Sequence, residues 1–239
     1  MKKTLFTLAF LTVFTIDAQI TTLAVQRNAQ AFMEYVDRYE TADNLDYLDE
    51  EYTGTPYSNP IFLLGNIYEN NKVVASNYAL RYNAMLDEVE VKENLYAEDT
   101  EIKALAKNPA LYAKIMSDMF VYRVVPEAQN GAGYFQVLHI GSTYNLYKKS
   151  VKKYYPAIKA QNSFEKDVLA KFADRPVYYL VSQDGTFQEF GPSKNKRLKL
   201  FESKQTEMKK LVKLGKLDLT QEKDLLRAVK HYDIISSKQ

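Results

Sequence analysis

Few residues in this chain are equipped for chemistry. It has two histidines, His139 and His231, and no cysteine. Disulfides, thiolate metal sites, a cysteine nucleophile and a lipid-modified N-terminal cysteine are therefore excluded. Two histidines cannot build a three-histidine metal site, and their separation fits neither H-E-x-x-H nor a comparable ligand spacing. Both read as structural or exposed histidines, His139 in a strand beside a hairpin turn and His231 on the last helix. No G-x-S-x-G elbow, P-loop or G-x-G-x-x-G occurs, and 8 glycines leave little for phosphate-cradling loops. A Ser-His-Asp site would have to assemble from distant residues. Paired carboxylates are harder to dismiss, because a glycosidase needs only two acids close in space and 30 acidic residues are present. No spacing singles out a pair, so no catalytic residue, metal or cofactor is assigned.

The densest candidate for binding is the stretch Leu146 to Ala157, LYKKSVKKYYPA, with four lysines and three tyrosines. If it is extended, Tyr144, Leu146, Lys148, Ser150, Lys152 and Tyr154 lie on one side, with Tyr147, Lys149, Val151, Lys153 and Tyr155 on the other. Neither side stays apolar beyond Tyr147. The reading preferred is a lysine-decorated edge or exposed loop, in which charge discourages edge-to-edge pairing. The functional alternative is a surface of Tyr147, Lys148, Lys149, Lys152, Lys153, Tyr154 and Tyr155 that holds an anionic glycan, a lipid head group or a partner protein.

The compartment bears on that choice. Residues 1–19 place two lysines before an apolar run from Leu5 to Ile16 and then a short polar segment, the layout of a secretory signal peptide. The run is shorter than the ~20 residues a spanning helix needs. The expectation is cleavage near Gln19 and a periplasmic or cell-surface protein with no transmembrane segment, for which nucleic acid is not an expected partner. Charge is unevenly spread: from Ile20 to Gly133 there are 9 basic residues against 18 acidic, and from Tyr134 to Gln239 there are 21 against 11. The plainest consequence is attraction between the halves; a basic face for an anionic partner is the other.

The elements that must position these residues follow from periodicity. After residues 1–19, an N-terminal helix and acidic linker are expected over 20–60. The helix is placed at Ala24–Glu40, where Phe32, Val36 and Tyr39 share a face. The acidic segment Thr41–Glu51 lacks the glycine and the ligand order of a calcium loop, so it reads as a solvated linker. Residues 61–190 read as an antiparallel β domain. Ile61–Tyr68 and Val73–Leu86 flank an asparagine turn, and Val89–Val91 extends the meander. Further strands fall near Glu101–Leu105, Leu111–Met116 and Met119–Val125. Gly141-Ser142 joins Tyr134–Ile140 to Thr143–Lys149, and Asp184-Gly185 joins Val177–Ser182 to Thr186–Phe190 in a primed two-residue turn. A short helix is expected over Asn162–Phe172. Residues 191–239 read as a helical segment of the same domain, with Ser193 and Thr220 as caps and Met208, Leu211, Val212 and Leu214 as a stripe ended by Gly215.

Several of these signatures together, Gly54-Thr-Pro-Tyr57, Phe62–Tyr68, Leu80–Asn83, Asp87–Val91, Gly133–Leu138 with Gly141, Leu146–Lys148 and the lysine-rich tail, resemble a family of uncharacterised secreted proteins common in Bacteroidetes-type bacteria. The resemblance runs from about Gly54 onward and implies an extracytoplasmic β-rich protein, with no catalytic residues to carry over. The fold expected is α+β: a curved antiparallel β meander of roughly eight to ten strands, open-barrel or sandwich-like, with the N-terminal helix and the C-terminal helices packed on it. The expected role is that of a non-enzymatic binding or accessory protein of the cell envelope. The partner would be an envelope protein, a glycan or an anionic lipid surface. A paired-carboxylate hydrolase of envelope polymers and a subunit of an outer-membrane assembly are the rivals.

Overall fold

A computed structural model of the chain describes residues 36–38, 51–125, 131–162 and 164–237. Its β structure grows from hairpins that the sequence makes legible. Asn70 and Asn71 both adopt positive φ, 47° and 67°, and turn β3 (Leu63–Glu69) back into β4 (Lys72–Asn83) with Glu69 opposite Lys72. Asparagine tolerates this left-handed geometry better than most residues, which is why it recurs in primed turns. Asp87, at φ 57°, turns β4 into β5 (Glu88–Lys92). β6 (Lys103–Leu105), β7 (Leu111–Ile115), β8 (Asp118–Val124) and β9 (Ala132–His139) continue the meander, and β10 (Tyr144–Lys149) follows.

Eleven strands form one antiparallel sheet in the order β1-β6-β5-β4-β3-β7-β8-β9-β10-β13-β14, where β1 is Val36–Arg38, β13 is Val177–Ser182 and β14 is Phe187–Glu189. The sheet curls strongly. Tyr134 on β9 donates its hydroxyl to the Leu105 carbonyl on β6 at 3.1 Å, although five strands separate the two in the sheet. Inside the curl Ile67, Leu80, Tyr82, Val89, Val91, Leu111, Phe120 and Tyr134 form a first core. A second sheet of three strands, β11 (Lys152–Tyr155), β12 (Ala170–Asp174) and β2 (Tyr52–Thr53), contains one parallel pair, β12 with β2.

The C-terminal segment folds as α1 (Lys194–Lys199), α2 (Gln205–Leu214) and α3 (Glu222–Ser236). Met208, Val212, Leu225, Val229 and Tyr232 bury against Leu146, Tyr178 and Leu180 of the sheet as a second core. Ser193 caps α1 by accepting the Lys196 N–H, and Gly215 ends α2, as the sequence indicates. A third cluster of Val121, Phe135, Tyr147, Tyr179 and Val181 occupies the opposite face of the same strands. β10 and β13 are thus covered on both sides, as the near-continuous apolar run Val177–Val181 of β13 requires.

Six expectations need correction. Leu214, expected in the apolar stripe of α2, is exposed, and only Met208, Leu211 and Val212 of that stripe pack on the second core. Of the helix expected over Ala24–Glu40, residues 36–38 form β1 instead, antiparallel to β6; the rest lies outside the described residues, as does the acidic segment apart from Glu51. A free edge on β6 offers backbone partners that side-chain periodicity does not register. The helix expected over Asn162–Phe172 is a bend followed by β12, because Lys171, Phe172, Ala173 and Asp174 pair with β11. Thr220 is not the cap of α3: Gln221 is the N-cap, and the Thr220 hydroxyl donates to Asp218 at 2.7 Å. The hairpin at Asp184-Gly185 exists, but its turn is not primed. Gly185 N–H closes onto the Ser182 carbonyl at 3.0 Å and only Gly185 has positive φ, 87°, giving a three-residue loop. Finally, the expected lysine-decorated edge holds for only half of its lysines: Lys152 and Lys153 lie on β11, an edge of the second sheet, but the strand bearing Lys148 and Lys149 is no edge, since β10 lies between β9 and β13.

Candidate functional site

Side-chain alternation along β9 places Tyr134, Gln136 and Leu138 on one face. Tyr134 belongs to the first core and Leu138 packs on the second, so Gln136 faces the gap between them. That gap is a cleft of about 570 Å³. Its apolar wall comes from Leu63, Leu80, Tyr82, Ile115 and Phe120, and its polar wall from Gln136, Lys148, Ser150, Lys152, Asp174 and Glu222. Arg81, Asp118, Ser58 and Asn59 complete the rim. Lys148 and Gln136 are direct partners across β10 and β9, and Lys152 and Asp174 across β11 and β12, so the strand register itself sets the polar wall.

The cations of the cleft are matched by carboxylates. Lys148 Nζ lies 2.9 Å from Glu222 Oε2, and Lys152 Nζ lies 2.6 Å from Asp174 Oδ1. Glu222 also accepts the Tyr178 hydroxyl at 3.0 Å, and burial together with that carboxylate pushes the phenol well above its ordinary range. Arg81 is held most firmly. Its guanidinium lies 3.6 Å from the Tyr57 ring centroid and 4.2 Å from that of Phe62, and it reaches Glu90 Oε2 through Nη2 at 2.6 Å and Nε at 2.8 Å. Glu90 is fully buried and takes a further bond from Asn83 Nδ2 at 2.9 Å. A planar cation between two rings and a buried carboxylate cannot swing to meet an anion without losing both.

The seven residues of the lysine–tyrosine stretch are divided by the fold. Lys148 and Lys152 line the cleft, and Ser150 joins them, on the side that alternation assigns them. Tyr147 is buried in the third cluster. Lys149 is buried as well, 2.6 Å from Asp87 Oδ2 and above the Phe135 ring at 5.2 Å. Asp87 is thus the counter-ion of a buried ammonium. Tyr154 packs against Phe172, while Lys153 and Tyr155 face solvent. Arg81, Gln136, Asp174 and Glu222 escaped sequence reasoning. The available signal was a charged residue set within apolar alternation, Arg81 between Leu80 and Tyr82 and Glu90 between Val89 and Val91.

Two polar clusters flank the cleft and serve the fold. Asp87 accepts the Tyr82 hydroxyl at 2.7 Å and the Tyr134 N–H at 3.1 Å while pairing with Lys149, so the β4–β5 turn clasps β9 and β10. Burial lowers the Lys149 pKa, against the pull of Asp87. A Cβ on Gly133 would fall among Lys149 Nζ and Asp87 Oδ2, so a side chain there would push that ion pair apart. At the other end Asp233 of α3 accepts backbone N–H groups from Ser142, Thr143 and Tyr144 at 3.0, 2.7 and 2.9 Å. Burial alone would raise its carboxyl pKa, but these donors outweigh burial and hold it low. His139 lies 3.9 Å from Asp233; burial lowers its pKa and Asp233 only partly offsets this.

The fold and cleft define a strongly curled antiparallel sheet with a helical tail on one end and a charge-compensated groove between two cores. The chain matches no protein-family model, no curated protein and no solved structure. Among the described residues, no helix is long and apolar enough to cross a membrane, and no group of three or more acidic, histidine or cysteine side chains could hold a metal.

Proposed function

We propose that this chain is a non-enzymatic binding protein of the cell envelope and that the cleft between the two cores is its ligand site. The charged, apolar and polar order of residues 1–19 supports the envelope location. The observation that carries the ligand class is the pairing of Arg81, Lys148 and Lys152 with Glu90, Glu222 and Asp174. A groove whose cations are already neutralised gains little from an anion. It presents donors and acceptors side by side, next to the apolar surface of Leu63, Leu80 and Phe120. That suits a neutral glycan, whose hydroxyls both donate and accept and whose ring faces are apolar.

Calorimetric titration of the purified protein with neutral oligosaccharides and soluble peptidoglycan fragments tests this. Saturable binding of intact sugar is expected, weakened at least about tenfold in Gln136→Leu through loss of a paired polar contact. Absence of binding to every fragment would refute the reading. Cleavage of the sugar, lost in Asp118→Asn, Asp174→Asn or Glu222→Gln, would replace it with the hydrolase reading.

A further inference from the structure

The residues joining β11 to β12 form a projecting hairpin with its own internal order. Ile158 and Val168 exchange backbone hydrogen bonds at 2.9 and 2.8 Å. Asp167 accepts the Ala160 N–H at 2.7 Å, and Glu165 accepts Gln161 N–H at 3.2 Å and Asn162 Nδ2 at 3.0 Å. Both acids of the hairpin are therefore turned to its backbone and to Asn162. The apolar side chains are turned outward: Phe164 is 99% exposed, Ile158 61%, Val168 56% and Leu169 43%. A folded chain that leaves four large apolar groups in water on one ordered projection is presenting them.

The charges around this tip are positive. From Val151 to Arg175 the sequence has six basic residues and three acidic ones. Lys152 and Asp174 neutralise each other. Lys153, Lys159, Lys166, Lys171 and Arg175 are exposed, and among the described residues none of them forms an ion pair. The rest of the lysine–tyrosine stretch has its cations engaged, so the uncompensated charge of this end of the molecule gathers here. Apolar residues on a tip ringed by lysines match one environment in particular, the boundary of an anionic bilayer, where the apolar groups enter the acyl region and the lysines meet head groups.

We infer that the hairpin, through its described residues 156–162 and 164–169, docks the protein peripherally onto an anionic membrane surface, with Phe164 inserted and Lys153, Lys159, Lys166 and Lys171 on the head groups. This is independent of what fills the cleft and rests only on the envelope location. Because binding to vesicles needs no cell, its failure is distinguishable from failure of the ligand reading.

The chain has no tryptophan, so Phe164→Trp places a single tryptophan, excited selectively at the red edge of the tyrosine absorption, at an exposed position of the hairpin. Titration with phosphatidylglycerol vesicles is expected to blue-shift its emission, with little shift on phosphatidylcholine and loss of the shift as salt rises. In co-sedimentation Phe164→Ser should lower partitioning about tenfold, from the apolar surface no longer buried. A Lys153→Gln, Lys159→Gln, Lys166→Gln, Lys171→Gln quadruple variant should lose most of the salt dependence. No blue shift, or sedimentation unchanged by Phe164→Ser, overturns the inference. Concentration-dependent dimerisation lost in Phe164→Ser, without vesicle binding, also overturns it and assigns the hairpin to a second copy of the chain.

Discussion

Replacing Asp87 by asparagine tests the clasp that holds the curl of the sheet. Asparagine keeps an acceptor for the Tyr82 hydroxyl and the Tyr134 N–H and tolerates the φ of 57° at this turn. Only the negative charge is removed, and the Lys149 ammonium, 7% exposed and 2.6 Å from Oδ2, loses its counter-ion. Breaking a fully buried pair costs about 3–5 kcal/mol; with the Asp87 side chain still 25% exposed, about 2–3 kcal/mol is expected. Urea denaturation of wild type, Asp87→Asn, Lys149→Met and the double variant reads this directly. Methionine fills the lysine's volume beside Phe135, so the double variant should recover to within about 1 kcal/mol of wild type. The deficit of Asp87→Asn also depends on pH. Burial already lowers the Lys149 pKa, and removing Asp87 lowers it further below the unfolded value of about 10.4. The penalty is complete below the folded value and fades as pH rises through it, so the gap from wild type should narrow at alkaline pH. A single variant within about 0.5 kcal/mol of wild type, or a double variant no better than the single, would refute the clasp.

Asp233→Ala removes a charged acceptor from three backbone N–H groups and should cost about 3 kcal/mol, with hydrogen exchange quickening at Ser142, Thr143 and Tyr144 before the rest of β10. Burial holds the His139 pKa below its ordinary value, so as pH falls through about 6.5 the unfolded chain takes the proton first and stability declines. His139→Gln should flatten that part of the profile, measured as urea midpoints at pH 7 and pH 5. Gly185→Val should lower stability by about 1–2 kcal/mol through the φ of 87° alone, since no atom lies within 4 Å of its added Cβ; an unchanged thermal midpoint would contradict the turn geometry.

Local signals in the sequence determined the meander. Strand alternation from Leu63 to Val124, the asparagine turn at Asn70-Asn71, the Ser193 cap and the Met208–Val212 stripe each depend on neighbours within a few residues, and each is found. The exclusion of cysteine chemistry is likewise a property of composition. What tertiary structure decided are the pairings across long separations. The Lys149 ammonium is buried because Asp87, sixty-two positions earlier, folds back onto it when the sheet curls. Lys148 faces a cleft because Glu222 of the last helix arrives opposite it. The span expected to be a helix near Phe172 became a strand because β11 and β2 stood on either side of it with unpaired backbone. Curl, helix docking and edge pairing are set by the sum of many contacts, and a residue's neighbours in sequence carry no record of which distant partner will satisfy its charge or its backbone.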